Sequence, residues 1–316
     1  MKAMVYTKYG SPDVLRLKEV EKPVPKDNEI LIKVHAASVN AFEWRHLRAD
    51  PFLIRLMGAG LLRPKHKILG ADVAGQVEAV GREVKQFQPG DEVFGCDGYG
   101  GFAEYVCVDE DRFVLKPANL TYEEAAAVPM AALTALQGLR DKGRIQAGQK
   151  VLINGASGGV GTFAVQIAKS FEAEVTGVCS TTKMDLVRSI GADHVIDYTQ
   201  EDVTKNKQQY DLIFDIAAYR SILKYKRILS SGGIYVLAGG SMARIFQLMF
   251  LSMTGVKNMK LVVAKISQKD LLVMIELMNA GKVRSIIDKR YPLAETAEAL
   301  RYLEDGHARG KVVITV

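Results

Sequence analysis

A buried strand, a cluster of glycines and a helix follow one another directly at Val151-Leu152-Ile153-Asn154-Gly155-Ala156-Ser157-Gly158-Gly159-Val160-Gly161. That order of residue types suits the binding of a phosphate. Glycine permits a tight turn and close approach of the backbone to a pyrophosphate. The helix start then offers unpaired N–H groups and the positive end of its dipole to the anion. Val160, Ala164, Ile167, Ala168 and Phe171 recur at the spacing of one buried helix face. A glycine cluster alone marks any tight turn, but here the strand before it and the helix after it are both present. Gly155, Ser157, Gly158, Gly159, Val160 and Gly161 are therefore candidate dinucleotide-binding residues.

The tip of the next strand indicates which dinucleotide. NAD sites place an acidic residue there, about 20 residues on, for the ribose 2′-hydroxyl. This strand ends Gly177-Val178-Cys179-Ser180-Thr181-Thr182-Lys183, with hydroxyls and a lysine but no carboxylate. A 2′-phosphate needs donors and positive charge, so the reading is NADPH, held by Ser180 and Lys183. The plain alternative is that Lys183 is a solvated residue at a helix start.

Strands and helices must position this loop. Short apolar strands at Lys150–Asn154, Glu174–Cys179, 194–196, 212–215, 234–238 and 260–264 alternate with helices at 160–171, 183–190 and 270–280. This pattern implies an α/β arrangement, a parallel sheet covered on both faces. Ahead of it, 2–7, 29–38, 73–80, 92–95 and 103–108 are β-rich, punctuated by Gly, Pro and Asp, as in an antiparallel barrel. The stretch 123–140 is Ala- and Leu-rich and reads as one helix. The end, Arg309 to Val316, is a strand that could return to the first domain and complete its sheet.

Composition narrows the function classes. The 316 residues suit two domains, and the +6 formal charge is scattered rather than run together, so nucleic acid is not an expected partner. No stretch approaches the roughly 20 apolar residues of a membrane span, so no membrane partner is expected. No apolar signal segment follows Lys2, and a cytoplasmic location is expected. Cys96, Cys107 and Cys179 form no closely spaced pair, which suggests neither a disulfide framework nor a Cys-rich zinc site.

Several motifs together resemble the zinc-independent quinone oxidoreductase branch of the medium-chain dehydrogenase/reductases, over essentially the whole chain. They are Ala37-Ser38-Val39-Asn40, Leu69-Gly70-Ala71-Asp72-Val73-Ala74-Gly75, Gly90-Asp91-Glu92-Val93-Phe94-Gly95, the glycine loop, Ile190-Gly191-Ala192-Asp193 and Gly310-Lys311-Val312-Val313. The resemblance implies a GroES-like β-barrel catalytic domain from residues 1–123, completed by 289–316. It implies a Rossmann NADP-binding domain, an α/β doubly wound parallel sheet, over 124–288, with the active site in the cleft between the two. Zinc-dependent members carry a Cys near Asn40, where this chain has none, and a Gly-His-Glu run where it reads Gly70-Ala71-Asp72. Two of the three protein ligands that catalytic zinc needs are thus missing. His35, His46 and His66 lack partner spacing and read as surface or satisfied polar residues.

By the same resemblance, Tyr198 packs beside the 2′-phosphate, Thr134 lines the nicotinamide pocket, Ala238-Gly239-Gly240 lets the cofactor lie across a strand end, and Lys311 reaches toward it. Each also has a plain reading: a half-buried tyrosine, a helix-interior threonine, a turn and a surface lysine. The family's Asn-Pro-x-Asp pattern is altered here, with Ala41 for Pro and Glu43 for Asp.

Without zinc, a hydrogen-bond donor must polarise the substrate oxygen. Asn40 is the catalytic candidate, although its amide could equally hold a backbone turn. Hydride addition to a quinone or an enone gives a delocalised enolate-like anion, whereas a simple ketone gives a localised alkoxide that calls for a Lewis acid. Conjugated substrates are therefore expected. No general acid stands out between Tyr99 and solvent. Phe246, Met249, Phe250, Leu251 and Met253 form a pocket wall, or pack in the core or a dimer interface. The edge strand at 260–264 resembles the one that the family pairs across a two-fold axis, which implies a homodimer. An enoyl-thioester reductase and a non-catalytic NADPH-binding protein are the rival readings.

Overall fold

The computed structural model describes residues 1–240, 242–253 and 258–316, and the side chains of these except 57, 242, 252 and 253. Two compact units emerge. One comprises Met1–Met130, Ile266–Ile275 and Ser285–Val316, the other Ala131–Lys265 and Glu276–Arg284. The first unit extends beyond residue 123, because Met130 N–H donates to Asp72 Oδ1 at 3.0 Å. It also takes in residues 266–275, which the sequence places in the nucleotide domain. Gln268 Nε2 there donates to the carbonyls of Phe113 at 2.7 Å and Glu110 at 3.0 Å.

The first unit is built on a seven-stranded sheet. Glu29–Val39 lies at its centre, paired antiparallel with Lys311–Thr315, Asp72–Val80 and Tyr105–Asp109. The C-terminal strand therefore does complete the sheet of the N-terminal residues, and Ile287–Pro292 pairs parallel to its outer side. Alternation along Glu29–Val39 buries Ile30, Ile32 and Val34 against Val73, Val77, Val106 and Phe113. Two helices, Ala41–Arg48 and Thr296–Glu304, lie in segments that carry no helical expectation above; both deliver leucines, Leu47 and Leu300, to a second core with Phe102 and Ile314.

The second unit is a six-stranded, all-parallel sheet. Its spatial order is His194–Asp197, Glu174–Cys179, Lys150–Asn154, Tyr210–Asp215, Leu229–Leu237, Met259–Leu261. Numbered along the chain, this is 3-2-1-4-5-6, the doubly wound Rossmann arrangement, and the order reverses between the first and fourth strands. Val151, Leu152 and Ile153 are all fully buried, as strands covered on both faces require. Two expectations change in detail. The helical run 123–140 is divided into Tyr122–Ala126, Pro129–Gln137 and a further turn, Gly138–Lys142, because Pro129 cannot continue the first helix and instead starts the second. The edge strand is only Met259–Leu261.

Candidate functional site

Two groups of candidate residues assemble, one in each unit. In the Rossmann unit the glycine loop leaves the C-terminal end of the first strand, at the point where the strand order reverses. Gly155 takes φ +88°, and its N–H and that of Ala156 both donate to Val178 O at 3.1 Å, which ties the turn to the second strand. The helix Gly159–Ser170 follows, capped by an extended Gly158. The glycines differ in purpose. A Cβ on Gly161 would stand 2.0 Å from the Gly155 carbonyl, so the helix can pack on the turn only without a side chain. A Cβ on Gly158 would meet nothing nearer than 3.6 Å. The space beside Gly158 is therefore open at a helix start whose first N–H groups have no carbonyl one turn back. That is the cradle a pyrophosphate needs, and the residues fit the cofactor inferred from the sequence.

The second and third strands end side by side, with Asp197 opposite Cys179. Ser180 and Lys183 follow the one and Tyr198 the other; Tyr198 N–H donates to Cys179 O at 3.1 Å, and its side chain is half exposed. Asp197 also lies at this tip, a carboxylate not singled out from the sequence. Thr181 Oγ1 and Thr199 Oγ1 both donate to it, and the Thr181 bond leads the effects that hold its pKa below the usual range. The Asp197 carboxylate is thus engaged by threonine hydroxyls, which favour its ionised form. Thr134, half-buried on the helix Pro129–Gln137, and Ala238-Gly239-Gly240, at the end of the fifth strand, belong to the same unit. Gly239 and Gly240 both have positive φ, near +92° and +100°, and Gly239 has open space where a Cβ would be. Beneath them lies Asp215, fully buried. It accepts from Asn154 Nδ2 at 2.7 Å, Ala218 N at 2.8 Å and Tyr235 OH at 2.6 Å. Burial raises its pKa against the pull of those donors. This network fixes the ends of the first, fourth and fifth strands.

In the barrel unit, sheet register builds the site. Val312 pairs with Val39 and Ser38 with Asp72, so Lys311 and Asp72 flank the end of the central strand from opposite sides. Asn40 stands between them as the residue before the helix Ala41–Arg48. Its Nδ2 donates to Asp72 Oδ2 at 3.0 Å, and its Oδ1 accepts from Lys311 Nζ. Lys311 Nζ is also 3.7 Å from Asp72 Oδ2, with both side chains at most 2% exposed. Ser38 Oγ and Met130 N–H also donate to Asp72. The plain reading of Lys311 as a surface lysine is therefore wrong: strand pairing carries it into the interior. Burial lowers its pKa against the opposing pull of Asp72 and Glu43.

Glu43, the replacement for the family's Asp, has a structural task. Its two oxygens accept from Asn40 N at 2.7 Å and Ala71 N at 2.9 Å, which binds the segment after the central strand to the segment before Asp72. It is fully buried, and burial, with the Asp72 charge as second cause, pushes its pKa up to about 7. Protonation of Glu43 removes a like charge from beside Asp72. The Asn40 amide thus has its oxygen bonded to Lys311 and one N–H bonded to Asp72, and a primary amide carries a second N–H.

The nearby histidines are satisfied in other ways. His46 Nδ1 contacts Phe42 O at 2.8 Å, His35 stacks on Tyr122, and His66 stacks on Tyr99 at a centroid distance of 4.0 Å. Burial raises the Tyr99 pKa, which suits a hydroxyl that keeps its proton. On the helix Met242–Met253, Leu248 packs into the core, while Phe246, Met249 and Phe250 are exposed; the Met253 side chain lies outside the described residues.

Comparison with known proteins agrees with this architecture. An alcohol dehydrogenase GroES-like domain matches residues 26–118, and a zinc-binding dehydrogenase domain matches residues 190–314. The chain is 35% identical to a 2-methylene-furan-3-one reductase of Solanum lycopersicum, over 99% of its own length and 79% of the relative's. It is 34% identical to the chloroplastic NADPH-dependent alkenal/one oxidoreductase of Arabidopsis thaliana, with the same coverage of both chains. The solved structure of a quinone oxidoreductase from Coxiella burnetii superposes with a TM-score of 0.91 at 29% identity, covering 100% of this chain and 99% of that one.

Proposed function

The chain belongs to the quinone oxidoreductase branch of the medium-chain dehydrogenase/reductase superfamily, and from that premise we propose that it is a zinc-independent enzyme that reduces quinones or α,β-unsaturated carbonyl compounds with NADPH. The observation that carries the proposal is the open glycine cradle beside Gly158, at the switch point of a 3-2-1-4-5-6 sheet whose second strand ends in Ser180 and Lys183. NADPH supplies the hydride when bound. The N–H groups of Gly159, Val160 and Gly161 would hold its pyrophosphate, and Ser180, Lys183 and Tyr198 its 2′-phosphate. The remaining N–H of Asn40 donates to the substrate oxygen as charge develops there. Lys311 and Asp72 act through Asn40 by fixing its amide plane.

Zinc independence is supported by the residues at the family's ligand positions. Asn40 stands in the Cys region, and Ala71 in the His position has only its backbone N–H, already used by Glu43. Among the described residues no group of three or more His, Cys, Asp or Glu side chains is placed to hold a metal ion. A cytoplasmic homodimer paired through the edge strand Met259–Leu261 completes the reading; among the described residues that strand is paired on one side only. The test is stopped-flow loss of NADPH absorbance with a small quinone, an enone and a simple ketone, with NADH as control and with chelator present. Turnover of the conjugated substrates alone, with NADPH and regardless of chelator, is the expected result. Tight NADPH binding without turnover of any of them would overturn it, in favour of a thioester reductase or a non-catalytic NADPH-binding protein.

A further inference from the structure

Between the helix Ala41–Arg48 and the strand Asp72–Val80, the barrel unit carries a segment whose surface its fold does not explain. Phe52, Leu53, Leu56, Leu61 and Leu62 are all exposed, Leu62 at 86% of its surface. A run of large apolar side chains left in water within about a dozen residues marks an interaction site more often than chance exposure. The base of its turn is tied to the fold. Lys65 N–H donates to Ala59 O at 2.7 Å, and Tyr9 OH contacts the carbonyls of Ala59 and Gly60 at 2.8 and 2.6 Å. Gly60 has φ +107°, and a Cβ there would lie 2.2 Å from Arg63 O. The turn is thus closed at its base and presents Leu61, Leu62 and Arg63 at its tip.

Charge selects the partner. Residues 51–67 contain Arg55, Arg63, Lys65 and Lys67 and no Asp or Glu. Arg55 lies over the rings of Tyr9 and Phe52, at 4.5 and 5.3 Å. Arg63, Lys65 and Lys67 are exposed and form no ion pair among the described residues. Leucine and phenylalanine side chains beside free cations match a surface that is anionic outside and apolar beneath. Two copies of this chain meeting on the same face would bring like charges together, which disfavours a self-association role.

We propose that the segment 52–67 is a docking surface for an anionic lipid bilayer, with Leu61 and Leu62 entering the interface and Arg63, Lys65 and Lys67 at the headgroups. This is contact with a membrane surface, not a span; among the described residues no helix is long and apolar enough to cross. It reaches beyond the expectation, drawn from span length alone, that the protein has no membrane partner.

The test is co-sedimentation of the full chain with vesicles of phosphatidylcholine containing phosphatidylglycerol, against vesicles of phosphatidylcholine alone. The expected result is partitioning about tenfold stronger into the anionic vesicles, lost at high salt as screening shortens the reach of the charges. Leu61→Ser with Leu62→Ser, and separately Arg63→Glu with Lys65→Glu, should each lower it about tenfold or more, with melting temperature and NADPH oxidation in solution unchanged. Equal partitioning into both vesicle types, or leucine variants that alter only self-association by sedimentation velocity, would overturn the proposal. Such a failure leaves the reductase reading intact, because the solution assay contains no lipid.

Discussion

The two groups of candidate residues, one in each unit, are made from different materials. At the glycine loop the binding groups are backbone N–H groups, and side chains matter chiefly by being absent: Gly161 must be bare for the helix to pack, and the space beside Gly158 is open. Around Asn40 the reverse holds. Asn40, Asp72, Glu43 and Lys311 are buried side chains that hold one another, with Asp72 reached by Ser38, Asn40 and Met130 N. A backbone site keeps its geometry through local conformation. A side-chain site in the interior keeps its geometry through charge balance, so it is more costly to disturb and responds to pH.

That contrast is broken most severely at Lys311. Replacing it by Met removes the cation from beside the buried Asp72, at a cost of about 3–5 kcal/mol, read as a lower denaturation midpoint. Asp72→Asn in the same chain should restore more than half of the loss, since the pair is coupled. If the double variant is no better than the single one, the cluster is not held by charge balance.

The pH response follows from Glu43. Its folded pKa, about 7, lies above the ordinary 4.5, so the folded chain binds this proton more tightly than the unfolded chain does. The contribution is therefore complete below about pH 4.5 and is lost as pH rises through 7, to a total of about 3 kcal/mol. Asp97, which burial pushes up to about 6, contributes a slope of the same sign. The informative quantity is thus the difference between wild type and Glu43→Gln in denaturant titrations from pH 5 to 8. Glu43→Gln should be less stable at pH 5 and should lack most of the decline. Parallel slopes in the two proteins would place the proton elsewhere.

The same contrast decides what was legible in the sequence. The Rossmann sheet and its loop were readable because their requirements are local: apolar strands, then glycines, then a helix with one apolar face. The Asn40 cluster was not, because its members come from positions 40, 43, 72 and 311 and meet only through strand register. Asp72 lay within a quoted motif yet offered no local sign of being the hub, and Lys311 reads as a surface lysine until the strand pairs. One signal was available. Asn40 followed three residues later by Glu43 is a helix-start pattern, and it marks both the missed helix Ala41–Arg48 and the Glu43 carboxylate that returns to the Asn40 N–H. In the middle of the chain the Ala- and Leu-rich composition concealed the break that Pro129 imposes.

Within the loop, the two glycines separate folding from binding. Gly161→Ala sets a methyl group 2.0 Å from the Gly155 carbonyl, and the helix must move, at a cost of about 1–3 kcal/mol in stability. Gly158→Ala meets no atom nearer than 3.6 Å, and Gly158 has φ −85°, which alanine adopts freely. Stability should therefore hold or rise by about 0.5 kcal/mol as the unfolded chain loses freedom. The added methyl group instead occupies the space where a pyrophosphate would approach. NADPH affinity should fall about tenfold, equivalent to about 1.4 kcal/mol, measured by titration of cofactor fluorescence. A Gly158→Ala protein that binds NADPH as tightly as the wild type would show that the cofactor does not lie against this turn, and the backbone half of the comparison would have to be placed elsewhere along the strand ends.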